Sequence, residues 1–167
     1  MINKHKQKGA ETVEFAMIAL LFFAILFAII EFSRALFVWN ALTEATRRGA
    51  RMAVICPVGS GVPKQVAIFG DKAGSLTTSP IIIGLTPDMV TVSYFYINPA
   101  GVKTATLDPT QIKFTEVKIA GYTHTLLIPL WGKSVPAPEF KTTLSTESLG
   151  AVPTYPGDPV SAPGCTF

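Results

Sequence analysis

The stretch that decides the fold is Phe15–Ile30, FAMIALLFFAILFAII, which carries no charge from end to end. A helix crossing the hydrocarbon of a bilayer needs about 20 apolar residues at 1.5 Å each, and this run stops short at Glu31. Apolar character resumes in Phe32–Trp39, FSRALFVW. A tilted span over about residues 15–38 therefore fits if Glu31 and Arg34 lie near the outer interface. Spaced three apart, these two can meet on one side of a helix, and Trp39 reads as an interfacial anchor.

The helical pattern outlasts the apolar one. No proline occurs before Pro57, and the segment NALTEATRRGARMAVIC is helix-compatible throughout. A continuous helix from Glu11 to Ile55 would be roughly 68 Å long at the standard rise, too long for one globular core. It divides into a membrane-type half and an external half. In the external half Ala41, Ala45, Gly49 and Ala53 recur every four residues, a stripe where a second helix or a sheet can approach closely. Glu44, Arg47, Arg48 and Arg51 occupy a neighbouring side, which is either a solvated face with weak ion pairs or a register between subunits.

Upstream, Lys4, Lys6 and Lys8 accompany His5 before the apolar run. Basic residues beside a span stay on the cytoplasmic side, which puts everything after the span outside the cytoplasmic membrane. A cleaved secretory signal fits less well: the apolar stretch is long, lacks an Ala-x-Ala site before Glu31 and flows into more helix. The formal charge of +3 resides in those three lysines, so the remainder is neutral and lacks the basic stripe that nucleic-acid binding requires. Charged residues make up only 15% of the chain, against about 25% in a typical soluble domain, again pointing to membrane or assembly contact.

Beyond Pro57, VGSGVP is a loop by composition and KQVAIFGDKAG suits a short helix. Val90–Ile97, VTVSYFYI, is rich in β-branched and aromatic residues and reads as a strand. Val102–Leu107, Ile112–Ile119 with imperfect alternation, and the segment YTHTLLIPL read as further strands, giving three or four antiparallel strands packed on the external helix. The expected fold is α+β: a basic leader at 1–9, a long helix at 10–56, an external α+β domain at 57–133 and an extended Pro-rich tail at 134–167. Cys56 and Cys165 do not have CxxC spacing; in an oxidising compartment they can bridge and fasten the tail, whereas in the cytosol they would be two unrelated thiols.

No catalytic constellation emerges. His5 lies in the leader, and His124, flanked by threonines, reads as a solvent-facing strand histidine without metal-ligand spacing around it. The Gly59–Gly61 segment GSG lacks a phosphate-loop ending, and Asp71, Asp88 and Asp108 are accounted for as turn residues. We therefore expect no cofactor, no metal and no catalytic residue.

One question remains: why Glu14 sits at the edge of an apolar helix, where an unpaired carboxylate is costly. Gly9-Ala10, with Glu14 five residues after the glycine and Phe15 next, resembles the processing site of type IV prepilins and pseudopilins. More closely, Gly9–Val54 resembles the N-terminal signature of the TadE-like family of tight-adherence (Flp/Tad) pilus proteins. The resemblance is carried by Glu14-Phe15, Glu31-Phe32, Arg34, Asn40-Ala41-Leu42, Ala45, Arg47 and Gly49-Ala50-Arg51. It implies a pilin-like fold and cleavage between Gly9 and Ala10 by a membrane-embedded prepilin peptidase, with Glu14 and Phe15 as recognition residues. It also implies assembly contacts along the helix, among them Glu31, Arg34, Ala41, Ala45, Gly49 and Arg51. The implied partners are the peptidase, other Tad pseudopilins, pilus assembly proteins and membrane lipids. A new α-amino group at Ala10 could then compensate Glu14 of a neighbouring subunit. More than a hundred residues follow the signature, which favours a minor component over a bulk filament subunit. The alternatives are a generic single-pass surface anchor with Gly9 intact, or an adhesion module acting without pilus components.

Overall fold

The computed structural model describes residues 8–70, 76–127, 134–149 and 165. Its backbone is one long helix, α1 (Lys8–Ile55), as the absence of a breaker predicts. Hydroxyls inside it bond back to the preceding turn, Ser33 to the Ile29 carbonyl and Thr43 to that of Trp39, so they satisfy themselves without leaving the helix. The helix ends where Pro57 forbids its continuation, the last turn closing with the Cys56 amide on the Met52 carbonyl at 2.9 Å.

A short helix, α2 (Val62–Ala67), follows, with proline in its first turn. The chain then runs through a 3-10 turn at Pro87–Met89 into β1 (Val90–Ile97), β2 (Lys103–Ala105) and β3 (Phe114–Ile119). Next come β4 (Thr123–Thr125), β5 (Ser134–Pro136) and β6 (Phe140–Ser145). The main sheet has the order β2-β1-β3-β6 and every pairing in it is antiparallel. Strands β4 and β5 form a separate two-stranded ribbon.

The sheet presses one face on α1. In β3 the residues Thr115, Val117 and Ile119 point inward while Phe114, Glu116 and Lys118 point away, the period of two that a half-buried strand requires. The imperfect alternation in the sequence arises because Ile112, although buried, precedes the strand in a turn closed by its own amide on the Asp108 carbonyl. The core gathers Leu42, Ala45, Ala50 and Ala53 from α1 with Ile68, Ile82, Leu85, Val90, Val117 and Ile119, each of the larger side chains contributing about 1.5–3 kcal/mol by leaving water. Gly49 permits the closest approach: a Cβ there would stand 2.9 Å from the Ala67 Cβ and 3.2 Å from the Val117 Cγ1.

Two expectations need correction. The tail does not begin at residue 134, because β6 completes the main sheet and β5 pairs with β4. Its Phe140, Thr142 and Leu144 are half-buried on alternate positions, and the Thr46 hydroxyl on α1 bonds that of Thr142 at 2.9 Å. Among the described residues of YTHTLLIPL only Thr123–Thr125 pairs, and with β5 instead of the main sheet, while Ile128–Leu130 lie outside the described residues. Trp39 packs against the core, so its ring serves the domain as well as any interface.

Candidate functional site

Along α1 the environment changes abruptly. From Phe15, 73% exposed, to Phe37, 59% exposed, the apolar side chains stand free of the rest of the chain; from Val38 onward one face is buried. The helix is long and apolar enough to cross a membrane by length and composition. Gly9, Ala10, Glu14 and Phe15 are all exposed in its first turns, and a side chain placed on Gly9 would meet nothing within 4 Å.

At the change of environment sits a polar cluster. The Glu31 Oε1 lies 3.4 Å from the Arg34 Nη1, one turn along the helix as the spacing predicts. The same oxygen lies 3.4 Å from the Nε2 of His124 on β4. The second carboxylate oxygen accepts the Leu127 amide at 3.1 Å, and Arg34 donates through Nη2 to the Thr125 carbonyl. Two backbone groups at the end of β4 are thus satisfied by charged side chains of α1, which replaces the water an exposed strand end would use. The cluster is a clamp: it fixes the β4–β5 ribbon to residues 31–34 of α1.

His124 is the residue that sequence reasoning placed wrongly. It is 2% exposed, not solvent-facing. Thr123 and Thr125 face outward and His124 inward, so the Thr-His-Thr alternation carried the signal, but nothing in the sequence said which face would meet α1. Tyr122 belongs to the same end of the fold: its hydroxyl donates to the Ile83 carbonyl at 3.1 Å, and burial pushes its phenol pKa up against the opposing pull of Arg34.

The remaining sequence-selected positions divide by burial. Ala45 and Gly49 are covered by α2 and the sheet of the same chain, so the small-residue stripe is used for packing within the subunit. Ala41 is half-buried, and Arg51 is exposed with Glu44 and Arg47 on a solvated face. Arg48 lies over the Phe69 ring at 4.8 Å, a contact between α1 and the loop after α2. Cys56 and Cys165 are joined by a disulfide with their Cα atoms 5.1 Å apart. On the outer face of the sheet, Lys103 donates to the Glu116 Oε2 at 2.8 Å and Thr143 to the same oxygen at 3.1 Å. The Lys103 bond above all holds the Glu116 carboxyl below the usual carboxylate range. Among the described residues no three His, Cys, Asp or Glu side chains gather as metal ligands would.

No curated protein and no solved structure matches the chain. A family match falls on α1 from the Gly9-Ala10 pair, through the exposed apolar run and the Glu31–Arg34 clamp, to the last turns packed on the sheet. Over residues 9–51, about a quarter of its length, this chain carries a TadE-like protein domain.

Proposed function

We propose that the protein is a non-enzymatic minor pseudopilin or assembly component of a Flp/Tad type IVb pilus system. A prepilin peptidase removes its leader after Gly9. The observation that carries this is the coincidence of the TadE-like match over residues 9–51 with an exposed apolar helix that has Glu14 at its mouth. The helix anchors the chain once in the cytoplasmic membrane. Lys4, Lys6 and Lys8 stay on the cytoplasmic side and the α+β domain lies in the periplasm or outside the cell. The Cys56–Cys165 bridge supports that placement, because disulfides persist in oxidising compartments.

Assembly follows from the cost of Glu14. A carboxylate entering lipid is expensive, and the α-amino group created at Ala10 by cleavage is a cation of the right kind to offset it in a neighbouring subunit. Partners are therefore the peptidase, other Tad pseudopilins and the assembly proteins of the pilus. The test is cross-linking in cells that make the whole Tad system. Products containing other Tad pseudopilins are expected for the natural chain and lost in Glu14→Gln. Unchanged products in Glu14→Gln would remove the role of Glu14, and their absence in the natural chain would leave a generic membrane anchor as the better description.

A further inference from the structure

The clamp sets the height of the β4–β5 ribbon against the helix. Leu127 is bonded through its amide to Glu31, so it sits level with that residue, yet its side chain is 78% exposed. On α1, exposed apolar residues continue above that level: Phe32 is 63% exposed and Phe37 59%. Twenty residues counted back from Phe37 reach Ile18, which is about the length the hydrocarbon layer needs. A bilayer that covers Phe37 therefore reaches past Leu127.

The backbone agrees. Irregular chain at membrane depth persists only where its polar groups find partners inside the protein, and here Thr125 and Leu127 find theirs in Arg34 and Glu31. A second exposed apolar side chain, Ile83, belongs to the same end, its carbonyl held by Tyr122 just before β4. Leu107 supplies the contrast. It is 75% exposed and follows β2 at the opposite end of the sheet, where β1 pairs through Phe95 with Ala105 and Phe114 and Leu149 reaches the Val54 carbonyl near the end of α1.

We infer that the β4–β5 ribbon is a foot that rests in the outer interfacial layer of the bilayer crossed by α1, with Leu127 inserted among lipids and Glu31, Arg34 and His124 holding it there. The foot fixes the angle between domain and membrane, which a single helix alone leaves free. This inference rests on α1 being the membrane span.

The test uses the full chain, kept oxidised, in vesicles of phosphatidylethanolamine and phosphatidylglycerol at low protein density, with a fluorophore attached after Leu127→Cys, Phe22→Cys or Leu107→Cys. Lipids brominated near the top of their acyl chains should cost the Leu127→Cys label roughly half its emission, as for a group ~5–10 Å deep. The Phe22→Cys label, inside the span, should also be quenched by brominated lipids, and the Leu107→Cys label should not. Quenching at position 22 without quenching at 127 would overturn the foot while leaving the span. No quenching at position 22 would overturn the span reading, and the foot with it. A 127 label shielded from water but untouched by bromine would show that protein covers this site, which also overturns the inference.

Discussion

The Nε2 of His124 stands 3.4 Å from the Oε1 of Glu31, so a histidine on a short strand reaches a carboxylate on the long helix at the level where the helix passes from exposed to packed. Removing the carboxylate leaves the Leu127 amide without its acceptor and Arg34 without its ion-pair partner. Glu31→Leu is expected to destabilise the ribbon by about 1.5–3 kcal/mol, the scale of a lost hydrogen bond to a charged group. Amide exchange should rise at Leu127 and in β4 while protection in β1 and β3 is retained. Equal loss across the whole sheet would mean that the clamp supports the entire fold.

Gly49 is a packing position. Gly49→Val would drive branched carbons into Ala67 and Val117, and overpacking of this kind costs roughly 1–3 kcal/mol. A thermal or denaturant melt of the detergent-solubilised protein checks this against Arg51→Ala, on the exposed side of the same turn, which should change stability by no more than about 0.5 kcal/mol.

The Cys56–Cys165 bridge spans a sequence separation of 109. Closing so long a loop restricts the unfolded chain, and its loss is expected to lower stability by about 2–4 kcal/mol. The doubly substituted Cys56→Ser, Cys165→Ser chain should show this as a lower denaturant midpoint, and a reducing agent should have no further effect on it.

Glu116 gives a pH dependence of definite sign. Its folded carboxyl is held below the ordinary range by Lys103, so its stabilising contribution is complete above the unfolded carboxylate pKa and disappears as pH falls through the lower folded value. Lys103 is part-exposed and screened, so Lys103→Met should cost at most about 1 kcal/mol at neutral pH. That difference should shrink under strongly acidic conditions, leaving only the contact of Lys103 with the Phe95 ring. A difference that grew on acidification would contradict the assignment.

How much was legible in advance follows from what each residue depended on. The length of α1 needed only the absence of breakers, and Glu31 with Arg34 needed only helical spacing. β1 was legible because VTVSYFYI has both propensity and period. β6 was overlooked because Thr142 takes an inward place that an apolar residue usually fills, so FKTTLS reads as polar when its neighbours are unknown. The burial of His124 depends on the ribbon folding back to the helix, a non-local event that strand alternation alone does not encode. Ala45 and Gly49 showed that something packs closely there, but a stripe of small residues does not say whether its neighbour belongs to the same chain.

The measurement that bears most directly on the central claim is the intact mass and N-terminal sequence of the membrane-expressed chain, with and without its prepilin peptidase. A new terminus at Ala10 that appears only with the peptidase, and is abolished by Gly9→Arg, is the expected result. A chain that keeps Met1 in the presence of active peptidase would contradict the pseudopilin assignment.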